Sequence, residues 1–513
     1  MYRKMNAALA AVMATLVLTI MPTLAKAQEV AEKSIDAQIN DLVAPVAKAV
    51  VDVIFFSVPV AGVPVPLIVV WLIVAALIFT LYFGFIQIFA FRHAIDIVRG
   101  KYTDPRDPGQ ITHFQALSTA LSGTVGLGNI AGVAVAVSIG GAGATFWMIL
   151  AGLLGMATKF TECTLGVKYR DEHADGSVSG GPMYYLSKGL AEKGLGGLGR
   201  VLAVAFAFCC IFGALGGGNM FQANQSFSQV YTVTGGDAGP LAGAGWIFGA
   251  VLAVIVGTVI IGGIRSIASV TSKIVPFMLI IYVLAAIAII LMNYDKIGWA
   301  FGQIIEGAFT AEGVAGGTIG AIIQGFKRAS FSNESGMGSA AIAHSAVKTK
   351  EPISEGFVAL LEPFIDTVVV CTLTALVIVI SGELVVGQKI AGVTLTSKAF
   401  AANISWFPYI LAVAVVLFAF STMIAWSYYG LKAWTYLFGE STISELIYKL
   451  IFCLAIIPGS AMNLSAIIDF TDGTFFAMGI FNIIGLYLLA PVVKRELQSY
   501  MARLKAGEIQ KYS

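Results

Sequence analysis

Eleven apolar stretches, each about the length of a membrane-crossing helix, recur along this chain. They lie near 67–90, 115–140, 146–167, 201–230, 241–262, 274–292, 316–345, 355–381, 406–437, 448–465 and 474–493. About 20 apolar residues in helical form cross the hydrocarbon core of a bilayer. Helices suit that medium because they satisfy every backbone polar group internally. Composition excludes the soluble alternative: 58% of the 513 residues are apolar and only 12% are charged, whereas soluble domains carry about 25% charged residues. The net charge of +2 supplies no field to gather nucleic acid. The fold class expected is an all-α polytopic membrane protein.

The ends read differently from the middle. Arg3 and Lys4 precede an apolar run from Ala7 to Ile20, and Ala25-Lys26-Ala27 follows. That pattern reads as a signal peptide, residues 1–27, with an uncleaved first helix as the alternative. Residues 28–66 then form an exported segment carrying Glu29, Glu32, Asp36, Asp41 and Asp52, with Ser57 to Pro66 as an interfacial approach. With the mature N-terminus outside, 20 Lys and Arg fall on cytoplasmic segments and five on outer ones, as the positive-inside rule requires. The expectation is a bacterial-type inner-membrane protein with residues 494–513 as a cytoplasmic tail.

Two apolar stretches are interrupted. Ser122-Gly-Thr-Val-Gly-Leu-Gly-Asn129 breaks the second, and Ser330-Phe-Ser-Asn-Glu-Ser-Gly-Met-Gly338 breaks the seventh. Each glycine costs a helix about 1 kcal/mol relative to alanine. Five stretches run from the second to the sixth and five from the seventh to the eleventh. Because five is odd, the second set enters the membrane inverted. The transporter domain is therefore 67–493, one leading helix plus repeats at about 115–292 and 316–493. Broken helices in matching places of inverted halves point to a secondary transporter's midplane site, where N–H groups face a carboxylate and C=O groups a cation. The alternative, glycines serving only close helix packing, leaves Asn129, Asn333 and Glu334 without a purpose. The Gly126-Leu-Gly128-Asn-Ile-Ala-Gly132 run has neither the final spacing nor the preceding strand of a dinucleotide site.

The interrupted segments, with Gly180-Gly-Pro-Met-Tyr-Tyr185, Gly218-Asn-Met-Phe-Gln-Ala-Asn224 and Trp426-Ser-Tyr-Tyr-Gly430, resemble the alanine or glycine:cation symporter family from about residue 67 to 495. The acidic exported segment departs from that family's usual short N-terminus. The resemblance implies the inverted five-plus-five fold of the neurotransmitter:sodium symporters within the amino acid/polyamine/organocation superfamily. It also implies sodium-coupled uptake of alanine, glycine or a related small neutral amino acid, sodium being the coupling ion with no other cofactor. Carried across, the N–H groups of Leu127 and Gly128 hold the substrate carboxylate. Thr124, Gln222, Ser332 and Asn333 complete the substrate site. The Asn129 side chain and Thr124 carbonyl ligate one sodium; the carbonyls of Ser122 and Val125 with the hydroxyls of Ser421 and Thr422 ligate a second.

Sodium is a hard cation suited to such oxygens, although Ser and Thr hydroxyls also bond back to their own helices. Gln222 and Asn224 lie two apart and cannot share a helix face, so Gln222 is expected in the pocket and Asn224 in a helix–helix hydrogen bond. Asp366 is an intramembrane carboxylate, expected either to support the cation site or, by slight preference, to pair with Lys327 or Arg328. Lys159 and Glu162, three apart, are expected to pair with each other. Phe212, Phe221 and Phe420 are expected to cap a small cavity, with Gln324 on its far wall. Residues 180–185 form a cytoplasmic loop, as packing or as a gate. His93, His113, His173 and His344 show no metal-ligand spacing, and the five cysteines sit in apolar runs without a CxxC. Proton coupling and a transporter-like sensor remain the alternatives. An enzyme is not expected, for want of an acid–base or metal cluster. The partners implied are the amino acid, sodium and membrane lipid, with no nucleic acid and no obligatory protein partner.

Overall fold

A computed structural model describes residues 45, 48–310, 316–387 and 392–512. The expected signal peptide and about half of the expected exported segment, residues 28–44 and 46–47, lie outside the described residues. The stretch from Ser57 to Pro66 is a β-hairpin: β1 (Ser57–Val60) pairs antiparallel with β2 (Val63–Pro66), Val58 opposite Val65. Ala61 and Gly62, both with positive φ, make its turn.

Among the described residues, everything after the hairpin is helical apart from loops, one two-residue strand pair and an isolated bridge between Ile111 and Val347. The first apolar stretch is α1 (Leu67–Tyr82), followed by the short α2 (Phe91–Val98). The second is split into α3 (His113–Thr124) and α4 (Val133–Gly140), and the third is α5 (Ala144–Lys168). The fourth is α6 (Gly196–Leu215) running through a π-helical turn into α7 (Phe221–Val233). Then come α8 (Gly245–Ile260), α9 (Gly263–Met292) and α10 (Ile297–Phe309). The seventh stretch holds α11 (Gly317–Asn333) and α12 (Ala340–His344). The eighth is α13 (Pro352–Pro363), a π-helical segment and α14 (Thr372–Ser381). After α15 (Gly392–Ala401) the chain ends in α16 (Phe407–Phe438), α17 (Thr442–Ala461) and α18 (Leu464–Ala506).

Among the described residues seven helices are long and apolar enough to cross a membrane, eight when the bent pair α3–α4 is one span. The helices α2, α10 and α15 answer to none of the apolar stretches. The last helix, α18, continues beyond the apolar stretch that ends near 493 and runs to Ala506. Its last turns are tied down: Arg503 forms a two-pronged bond to Glu351 at 2.7 and 2.6 Å, and Lys168 meets Glu496 at 2.7 Å.

At the centre lies α5, packed along α13 and α11 and fully buried from Gly155 to Val167. The division of labour on α7 is as the helical angle dictates. Asn224 donates to the Met462 carbonyl at 2.6 Å and to Gly459 at 3.4 Å, closing the C-terminal end of α17. Such bonds in a membrane bundle are worth about 1 kcal/mol each, so Asn224→Ala should lower stability by about 1–2 kcal/mol, read by thermal unfolding in detergent. An unchanged midpoint would show that the contact holds nothing.

Candidate functional site

The first break begins from a well-started helix. Thr112 and Gln115 form a reciprocal capping box at the head of α3, which fixes where that helix enters. It ends where Val125 turns extended, with φ −76° and ψ 90°, and α4 departs at 48°. The N–H of Gly126 goes to the Asn129 side-chain oxygen at 2.8 Å. That of Leu127 goes to the Gln222 side-chain oxygen at 3.4 Å. In an unbroken helix these two donors would serve the carbonyls of Ser122 and Gly123; here side chains have taken them. Gly128–Gly132 is a π-helical turn, a form that collects at functional sites.

Two further π-helical segments converge on this place. Gly216–Met220 precedes Gln222, whose amide donates to the Gly217 carbonyl at 2.9 Å. Phe364–Cys371 carries Asp366. Asn129 donates to the Asp366 carboxylate at 2.6 Å and to its carbonyl at 3.0 Å. Ser332, from the second break, donates to the same carboxylate oxygen at 3.2 Å. Asp366 thus bridges the two broken helices. It does not pair with Lys327 or Arg328, both of which meet Asp472 instead, Lys327 at 2.9 Å.

The backbones of the two breaks also touch. A Cβ on Gly128 would stand 3.2 Å from the Ser332 Cα. The second break itself turns through Glu334, Gly336 and Gly338, all with positive φ. The Glu334 carboxylate is buried, accepting from the Trp426 indole at 3.0 Å and from the Ser339 hydroxyl. Asn333 turns to Thr367 at 2.9 Å and to the Ser335 N–H at 2.9 Å, so it reaches the first break only through its neighbours.

On the opposite wall, α16 brings Ser421 and Thr422. The Ser122 hydroxyl donates to the Ser421 carbonyl at 2.5 Å, clamping α3 to α16. The Ser421 hydroxyl bonds back to Phe418 at 3.0 Å, and the Thr124 hydroxyl back to Ala120 at 3.2 Å. The Thr422 hydroxyl is different: it is buried, has no hydrogen-bond partner, and is the atom a Cβ on Gly126 would strike. A buried hydroxyl left unpaired is costly unless a ligand completes it. Carbonyls lacking their helical donors, an unpartnered hydroxyl and a nearby carboxylate gather buried oxygens of the kind a hard cation takes as ligands.

Several expected residues sit elsewhere. Phe212 packs on Phe208 at 4.9 Å, a side chain 58% exposed, so it does not cap the site. Gln324 lies against Gly140, at the far end of α4. Phe221 packs edge-on to Phe331 of the second break at 5.5 Å, with Phe331 stacked on Phe475 and Phe475 on Trp426. Lys159 does not pair with Glu162; it meets Glu362 at 3.1 Å, both fully buried. Glu162 instead accepts from Asn482 at 2.7 Å.

The family model described as "Sodium:alanine symporter family" matches residues 46–513. The sodium/alanine symporter AgcS of Methanococcus maripaludis is 43% identical over 438 residues, which is 85% of this chain and 94% of that one. The probable sodium/glutamine symporter GlnT of Bacillus subtilis is 30% identical over 86% of this chain and 89% of its own. Among solved structures, MhsT in complex with L-phenylalanine superposes with a TM-score of 0.50 at 14% identity, covering 77% of this chain and 99% of that one. That likeness is one of fold.

Proposed function

The chain belongs to the sodium:alanine symporter family, and from that premise we propose that it draws alanine, glycine or a related small neutral amino acid into the cell down a sodium gradient. It is a transporter and not an enzyme. The observation that carries the reading is the first break, where the N–H of Leu127 rests on Gln222 and the Thr422 hydroxyl waits unpartnered beside Gly126.

The substrate carboxylate takes the N–H groups of Leu127 and Gly128, displacing the Gln222 oxygen, which turns to the substrate's ammonium group. Ser332 and Phe221 bound the small side chain. One sodium lies between the Asn129 side-chain oxygen and the Thr124 carbonyl, with the Asp366 carboxylate bonded to Asn129 supplying negative charge. The second takes the carbonyls of Ser122 and Val125 with the hydroxyls of Ser421 and Thr422. Sodium offsets the charge of the arriving carboxylate, so each ligand favours the other, and that reciprocity is the coupling. Eleven spans, one leading helix plus two inverted sets of five, would rock about this site between outward and inward openings, in an inner membrane with the C-terminus cytoplasmic.

The test is equilibrium binding of labelled alanine to the purified protein, in sodium chloride against choline chloride. Binding should need sodium, and Thr422→Val should raise the sodium required by about tenfold, the equivalent of about 1.4 kcal/mol for one lost oxygen ligand. Equal binding in choline would contradict the reading.

A further inference from the structure

A second polar cluster lies away from the candidate site, where α3, α5, α12 and α13 meet. Glu355 of α13 receives two imidazoles: its Oε2 meets Nδ1 of His113, and its Oε1 meets Nδ1 of His344 at 2.5 Å. Beyond His344, its Nε2 stands 3.7 Å from Glu362 Oε2, and the other oxygen of Glu362 meets Lys159 at 3.1 Å. All five side chains are essentially inaccessible. The groups facing them are Glu162 and Cys163 on α5, Glu334 at the second break and Tyr429 on α16. His93 and Tyr500, hydrogen-bonded at 2.9 Å, lie against the buried Phe357 of α13.

Two observations point to a ligand. His344 Nε2 and Glu362 Oε2 face each other, and neither has any hydrogen-bond partner. A bare imidazole nitrogen and a carboxylate oxygen are both acceptors, so the pair repels unless a proton stands between them. Charge gives the same answer. With both imidazoles neutral, two carboxylates and one ammonium leave the buried chain at −1, and a lone uncompensated charge in such a medium costs several kcal/mol. One added proton makes it neutral and turns the two facing acceptors into a donor and an acceptor, which attract.

We propose that His344 and Glu362 form a proton-binding site, distinct from the sodium sites, whose filling and emptying belong to the transport cycle. The filled site draws α12, the far half of the second broken helix, onto α13. When it empties, two acceptors face each other and α12 is released. Its use in transport rests on the symporter reading above; the existence of the site does not.

The chain has four histidines, so each ring can be resolved in ¹⁵N-histidine-labelled full-length protein in lipid by solid-state NMR. His344 should show both ring nitrogens protonated at neutral pH, assigned by its loss in His344→Gln or, should that variant not fold, by elimination with His93→Gln, His113→Gln and His173→Gln. A bare Nε2 on His344 would overturn the site. For its use, sodium-driven alanine uptake by the wild type should fall by about tenfold per pH unit on its alkaline limb, as one titrating proton requires, and His344→Gln should flatten that limb. The same profile in both proteins would overturn the role in transport. Absence of sodium-driven uptake in the wild type would instead strike the symporter reading, while the ring-nitrogen signals still decide the site.

Discussion

Gly126→Ala should abolish sodium-driven uptake, by about 100-fold or more in initial rate, while Gly132→Ala, six positions on, should leave it within about twofold. The contrast follows from what each new methyl group meets. At Gly126 it strikes the Thr422 hydroxyl and comes within 3.4 Å of the Gln222 oxygen. Those are the two side chains that border the Leu127 donor and the second expected sodium. Displacing binding groups by about 1 Å is enough for a loss on the order of 100-fold. At Gly132, the last residue of the π-helical turn, nothing lies within 4 Å and the dihedrals are right-handed helical, with φ −65°, so alanine fits. Overpacking at Gly126 costs about 1–3 kcal/mol of stability, which a folded-yield assay separates from lost transport. Equal loss in both variants would show that the break tolerates no change at all, and equal retention would remove Thr422 and Gln222 from the site.

The largest stability effect belongs to the Lys159–Glu362 pair. Lys159→Met leaves the Glu362 carboxylate buried without its cation and should cost about 3–5 kcal/mol, read as a collapse in the yield of monodisperse protein. Glu362→Gln should be similarly severe, because it strands the ammonium. The double variant Lys159→Met/Glu362→Leu, which removes both charges, should recover much of the loss, since the cost lies in the stranded partner rather than in the absent bond. Additive losses in the double variant would mean that the two residues act separately.

How far these features could be read from the sequence depends on how local their causes are. The first break was legible because three glycines interrupt an apolar run, and a helix cannot hide that. The second was legible from Asn333 to Gly338 for the same reason. The split between Gln222 and Asn224 followed from helical angle alone. Lys159 was misassigned because a spacing of three suggested Glu162, while the bond goes to Glu362, 203 residues away. Asp366 was recognised as out of place, but its partners, Asn129 and Ser332, come from two other broken helices. The cluster at Glu355 left no signal at all: His113 lies 242 residues from it, and nothing in the spacing of four histidines announces a shared carboxylate. The extension of α18 past residue 493 was missed for a different reason. Its last turns are polar and end the apolar stretch, yet Arg503 and Glu496 find partners on neighbouring loops and helices, so the helix continues.

The central claim is that a sodium gradient drives a small neutral amino acid through the site between the two breaks. The most direct measurement is uptake of labelled alanine into proteoliposomes of the purified full-length chain, under an imposed sodium gradient and, separately, under a proton gradient alone. Accumulation above equilibrium with sodium, abolished when the gradient is dissipated, is the result expected. Accumulation driven by the proton gradient alone, with sodium irrelevant, would contradict it.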